Sequence, residues 1–277
     1  MKNIIILYHK NCPDGFSGAW AAWKKFGKKA DYFGVEYQQP PLKGLKNKEI
    51  YIIDFCYQKP EIMKRLLYDN KKVIVIDHHI TLKELSKISS KRVFDLNHSG
   101  AVLAWKYFFP KKATPKFLLH VEDVDLWKFK LPHTKELMSA LAICGFNFKV
   151  WNKIAADWQN SESRKKYIEE GEIILKYEQK IIERLLKSAD KAKFGNYKAA
   201  VVNSPVLQSE IGNALVKLGY QIGVIWSQKN NKKRISLRSN GKTDVSKLAQ
   251  KYGGGGHKAA SGFALKIDKP FPWKTTK

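Results

Sequence analysis

Three runs of consecutive apolar residues mark the first third of the chain: IIILY (4–8), EIYIID (49–54) and KVIVID (72–77), the last two closed by an aspartate. A strand with one face in water alternates apolar and polar positions. One that is apolar throughout has both faces covered, as in a parallel sheet between layers of helices. The segments around these runs have helical spacing: FSGAWAAWKKFG (16–27), opened by Asp14-Gly15 and ended by Gly27, and PEIMKRLLYDN (60–70). RVFDL (92–96) predicts another strand, and SGAVLAWKYFF (99–109) a helix with Ser99 as its N-cap. Residues 114–160 read as mostly helical, with Trp127, Trp151 and Trp158 as packing residues.

From Ser161 to Ala189 the spacing predicts one long amphipathic helix with Ile174, Tyr177, Ile181 and Leu185 as its apolar stripe. Beyond Gly195, KAAVVN and YQIGVIW flank a helix near 208–218, and RISLRS reads as a further strand. The expected fold class is therefore α/β, a parallel-sheet domain (1–160) joined by a long helix (161–194) to a smaller α/β domain (195–277).

At 277 residues, two domains are the better expectation, and an apolar fraction of 44% is enough for packed cores. No apolar run reaches membrane-spanning length, and IIILY is too short for the apolar part of a signal peptide. Three scattered cysteines, Cys12, Cys56 and Cys144, fit a reduced compartment, so a cytoplasmic protein is expected. The net charge of +26 attracts polyanions, of which phosphate backbones are the commonest. All but six of the 51 basic residues are lysine, so the charge equally fits a compositional bias; charge alone decides nothing.

The chemistry sits at strand ends. His9, Asp14, Asp54, Asp77, His78 and His79 all fall at or just beyond the C-terminal end of a predicted parallel strand, where such sheets open their crevice. Asp123 and Asp125 could add a carboxylate. A single aspartate there is ordinarily a cap and a single histidine solvated. The set offers more oxygen and imidazole donors than one ion needs, matching two cations of the Mn2+, Co2+ or Mg2+ type. Far downstream, GGGGHKAASGF (253–263) offers backbone amides with His257 beside them, a pattern suited to an anion.

These motifs, His9…Asp14-Gly15, Asp54, Asp77-His78-His79 and Asp123, resemble in order the four motifs of the DHH phosphoesterases, and GGGGHKAASGF with SLRS upstream resembles their C-terminal DHHA1 substrate-binding domain. The resemblance implies a catalytic DHH domain facing a smaller DHHA1 domain across a cleft. It implies that His9 and Asp54 serve one metal, that Asp14, Asp54, His78 and Asp123 serve a second, and that Asp54 bridges them. Asp123 is preferred to Asp125 because D-V-D-L-W aligns its first residue with the family's fourth motif. Asp77 is implied to orient a ligand imidazole and His79 to face the substrate phosphate, making His79, Asp54 and Asp77 the catalytic set. Arg238, Gly254, Gly255, Gly256 and His257 are implied to grip phosphate. The cofactor expected is two divalent ions, Mn2+ first, with Co2+, Zn2+, Fe2+ and Mg2+ as alternatives.

One position departs from the pattern: Cys12 stands where the family carries an aspartate. Either its thiolate ligates, favouring Zn2+, Fe2+ or Co2+, or it is a small buried residue that coordinates nothing. The favoured reading is a metal-dependent phosphohydrolase of short oligonucleotides or dinucleotides, resembling the nanoRNases and working as an exonuclease. A hydrolase of cyclic dinucleotides or 3′,5′-bisphosphonucleotides is the alternative, and a non-catalytic phosphate-binding or nucleic-acid-binding protein is the alternative of another class. No membrane partner is expected, and a homodimer is left open.

Overall fold

The computed structural model describes residues 1–36 and 39–276. The chain divides into two compact units, Met1–Leu175 and Lys176–Lys277, with the division inside one long helix.

The first unit runs β1 (Ile4–His9), α1 (Pro13–Phe26), β2 (Ala30–Val35), β3 (Glu49–Ile53), α2 (Pro60–Asp69), β4 (Lys72–Asp77), β5 (Lys91–Phe94), α3 (Gly100–Phe108), α4 (Lys116–Asp125), α5 (Thr134–Ala142) and α6 (Phe148–Asp157), then enters α7 (Ser161–Lys187). Its five strands are all parallel, in the order β2-β1-β3-β4-β5. The continuous apolar strands are covered on both faces. Ile6, Tyr51, Ile53, Ile74 and Ile76 pack under α1, α3 and α4, while Ile5, Leu7, Ile50, Ile52, Val73 and Val75 face Met63 and Leu66 of α2. The strand order reverses between β1 and β3, so the crevice of this doubly wound sheet opens where His9 ends one strand and Asp54 follows the other.

One strand lies outside the sequence expectations and one expectation changes. β2 lacks a continuous apolar run and lies half-buried at the sheet edge, which is why periodicity passes over it. Trp127 is not a core residue: it is 40% exposed, unlike the fully buried Trp151 and Trp158.

In the second unit, the end of α7 is followed by β6 (Asp190–Phe194), β7 (Tyr197–Asn203), α8 (Gln208–Lys217), β8 (Ile222–Lys229), β9 (Lys232–Arg238), α9 (Val245–Gln250), β10 (Gly255–Gly256), β11 (Ala260–Lys266) and β12 (Trp273–Thr275). The sheet order is β10-β11-β9-β8-β7-β6-β12, antiparallel except for the β7–β8 pair. Ile182 of α7 packs with Ile211 and Leu215 of α8 on one face; Val245 and Ala249 of α9 cover the other. The α7 stripe thus runs through Ile182, whereas Tyr177 is 69% exposed and lies outside it. Among the described residues, no helix is long and apolar enough to cross a membrane.

Candidate metal centre

The centre is built from the ends of β1, β3 and β4 and the start of α1. Helix α1 follows β1 after the short turn 10–12, and Gly15 lets it pack this close: a Cβ there would collide with the His9 carbonyl oxygen. Asp14, in the first turn of α1, is buried and accepts from the amides of Gly100 at 2.7 Å and Ala101 at 2.9 Å, the positive end of α3. Gly100 is needed because a Cβ would lie 2.8 Å from Asp54 Cβ and 2.9 Å from Asp14 Oδ2. Ser99 caps α3 through its Oγ, which accepts from the Val102 amide.

Asp54 holds the centre. It follows β3 in the left-handed region, φ +60°, a conformation that aspartate tolerates better than most side chains. Its carboxylate is buried, and neither oxygen has a hydrogen-bond partner of good geometry. Oδ2 lies 3.4 Å from His9 Nδ1; Oδ1 lies 3.3 Å from His78 Nε2 and 3.8 Å from His79 Nδ1. His78 Nε2 also lies 3.6 Å from Asp14 Oδ2 and 3.4 Å from Asp125 Oδ2. Such separations are long for hydrogen bonds. A cation about 2.1 Å from each donor would separate ligand atoms by about 3.0 Å at right angles and about 3.4 Å at tetrahedral angles. The donor set therefore fits a divalent ion.

Asp125, not Asp123, reaches this cluster. Asp123 turns away: Oδ1 accepts from the Lys130 amide at 2.8 Å, and Oδ2 from the Leu131 amide at 3.1 Å and the Thr134 hydroxyl at 2.7 Å. It pins the loop after α4, in which Trp127 and Phe129 both have positive φ. The physical reason is helical geometry, since residues two apart point about 200° from each other. A second correction concerns Asp77. Successive side chains in extended backbone alternate sides, so Asp77 and His79 share one side. Asp77 Oδ1 lies 2.8 Å from His79 Nδ1 and accepts the His78 amide at 2.8 Å; it orients the His79 ring rather than that of the ligand candidate His78. Sequence reasoning also passed over Glu122, which accepts the Ser99 amide at 3.0 Å and lies 2.9 Å from His98 Nδ1, fixing the start of α3 that holds Asp14. No sequence motif marks it.

In the second unit, β9 ends at Arg238 opposite Ala260, and the Ser239 amide bonds Ala259 O, so Arg238 adjoins the 257–260 turn in the sheet. Arg238 donates to Ser209 Oγ at 2.7 Å. The glycines differ from expectation. The Gly254 amide is committed to Ala249 O at 2.9 Å, and Gly255–Gly256 form the short strand β10 against Gly262 and Ser261. Close strand approach explains the Gly at 254, where a Cβ would strike the Gly262 carbonyl oxygen. The Gly254 amide is therefore not a phosphate donor.

The electrostatics of the metal-binding cluster describe a place for positive charge. Burial, reinforced by Asp125 and Asp54, pushes the Asp14 carboxyl well above the usual range. Burial also lifts Asp125. Burial alone would lower His78, but its contact with Asp54 and the charges of Asp125 and Asp14 raise it to about 10. Burial opposes ionisation of Asp54 too, yet contact with His78 and His9 holds its carboxyl well below the usual value. Protons thus occupy in part the role a cation would take. With the folded His78 at about 10 and an unfolded histidine near 6.5, the metal-free fold binds the extra proton across that window, and its stability falls as pH rises through it. Thermal melts with chelator should lose stability from about pH 7 to 9, and saturating divalent metal should flatten that slope. A metal-free melting temperature that climbs over the same interval would refute this.

The chain is similar to proteins already known. The DHHA1 domain model matches residues 195–270. A protein of Acanthamoeba polyphaga mimivirus, "Uncharacterized protein R106", is 33% identical over 94% of this chain and 67% of its own length. Oligoribonuclease NrnB of Bacillus subtilis is 26% identical over 94% of this chain and 72% of its own. Among solved structures, RecJ of Thermus thermophilus in complex with Mn2+ superposes with a TM-score of 0.51 at 15% identity, covering 95% of this chain and 49% of RecJ, a likeness of fold. With a His/Asp cluster at the switch point of one sheet and a DHHA1 domain after it, the chain belongs to the DHH phosphoesterase family.

Proposed function

We propose that this protein is a divalent-metal-dependent phosphodiesterase that removes mononucleotides from very short oligonucleotides. The observation that carries the reading is the convergence of His9, Asp14, Asp54, His78 and Asp125 around one buried carboxylate whose two oxygens face different imidazoles. His9 and Asp54 would hold one cation, and Asp14, Asp54, His78 and Asp125 the other. Bound there, such ions supply a hydroxide at neutral pH and neutralise phosphoryl oxygens. Similarity to an oligoribonuclease supports the short substrate, and the fold's likeness to a Mn2+-bound exonuclease supports a transition metal.

The chain's own groups divide the remaining work. His79, oriented by Asp77 and 3.8 Å from Asp54 Oδ1, can donate to a phosphoryl oxygen as charge builds on it. Arg238 and His257 would bind a phosphate of the substrate. His79→Ala should lower kcat by about 10²–10³-fold. Arg238→Ala should chiefly raise KM, by about tenfold, because a grip on a substrate phosphate holds ground and transition states alike.

The test is turnover of pApA, pAp, a cyclic dinucleotide and 5′-phosphorylated RNAs tens of nucleotides long, after chelation and again with added metal. Dinucleotides should be cleaved fastest, only with metal. Equal rates on long strands would replace the reading with an open exonuclease groove, and preference for pAp or the cyclic substrate would reassign the substrate. Metal-independent turnover would end the metal hypothesis.

A further inference from the structure

The first metal position has only two family-type ligands, His9 and Asp54, and a third donor of another kind beside them. Cys12 offers its sulfur within 4.8 Å of the ligand atoms of both. Cys12 is the N-cap residue of α1, yet its side chain makes no capping hydrogen bond, so the helix does not account for it. Asp54, 1% exposed, brings an oxygen without a good hydrogen-bond partner to the same place, 3.4 Å from His9 Nδ1. One imidazole nitrogen, one carboxylate oxygen and one thiol sulfur, mutually within reach and mostly shielded from water, form an N/O/S ligand set.

We propose that Cys12 is a thiolate ligand of the first ion, so that this position selects a borderline-soft divalent metal (Zn2+, Fe2+ or Co2+) over Mn2+ or Mg2+. Hard oxygen sites suit Mn2+ and Mg2+, whereas sulfur shifts selectivity toward the later and softer ions. Binding is balanced by proton release: the cation takes the place of the thiol proton, which leaves to solvent, and no electron changes hands. The inference rests on the metal-dependent reading above and deepens it by naming the class of ion.

Co2+ gives a test separate from turnover, because a cobalt–thiolate bond absorbs strongly in the near ultraviolet and a cobalt–carboxylate bond does not. The full-length protein is titrated with Co2+, and absorbance is read beside bound-metal content. Wild type should develop the charge-transfer band; Cys12→Ser and Cys12→Asp should lack it. Chelator competition should show the Zn2+-over-Mn2+ preference of wild type falling by at least about tenfold in Cys12→Asp, since even indirect partners of a metal ligand change affinity by about 10–100-fold. Co2+ bound without the band in wild type, or a band that survives in both variants, would overturn the thiolate assignment and leave the metal-dependent reading standing. Failure of wild type to bind any divalent metal would overturn both.

Discussion

Asp54→Asn should cut turnover by at least about a thousandfold, equivalent to some 4 kcal/mol of transition-state stabilisation, while leaving the chain folded. Asp54 faces His9 with one oxygen and His78 and His79 with the other, so a single exchange weakens both proposed ion positions together. Asparagine is the informative replacement. It keeps the size and tolerates the left-handed backbone at φ +60°, whereas alanine would add strain to the lost ligand. In the metal-free state the exchange should lower the melting temperature at neutral pH, because it removes the carboxylate that contact with His78 and His9 holds ionised well below its usual range and that helps keep His78 protonated. Loss of turnover together with a fall in metal-free stability at neutral pH is the expected pair. Near-normal turnover at saturating metal would exclude Asp54 as the bridging group.

Asp125→Asn and Asp123→Asn should separate chemistry from scaffolding. Asp125 Oδ2 stands 3.4 Å from His78 Nε2 and has no hydrogen-bond partner, so its loss should cost metal affinity and turnover, about 10²-fold or more, with little loss of stability. Asp123 is spent on two amides and a hydroxyl, and its loss should destabilise the fold by about 2–4 kcal/mol while sparing metal affinity. Metal titration and thermal melting on both variants decide the matter. If Asp123→Asn lost metal and Asp125→Asn did not, the assignment would be reversed.

That pair shows how far the sequence could be read. Strands that are apolar throughout announced β1, β3 and β4 and, with them, the positions of His9, Asp54 and Asp77, because strand ends are fixed by the same pattern that defines the strands. The choice between Asp123 and Asp125 depends on how α4 is rotated, which is set by packing. Phe117 and Val121 are fully buried, and Asp125 continues their i, i+4, i+8 row, so a signal existed in the spacing that motif alignment overrode. Asp77's partner followed from strand alternation and was equally readable. The commitment of the Gly254 amide to Ala249 was not, because it depends on a tertiary contact between α9 and the loop before β10 that leaves no local pattern. β2 escaped notice because an edge strand with one open side needs no continuous apolar run.

The backbone conformations at two positions of the centre have opposite consequences for how such a site can diverge. Position 54 sits in a left-handed turn where Gly, Asn and Asp are the comfortable residues, and of these only aspartate carries a carboxylate. Glutamate there would keep the charge but meet both the wrong reach and an unfavourable φ. Position 12, by contrast, is extended, with φ −122° and ψ 128°, and accepts any L-residue other than proline without strain. A lineage can therefore exchange sulfur for oxygen at position 12 at no backbone cost, adapting to the metals its surroundings supply, while the carboxylate at 54 stays locked in by the turn that presents it.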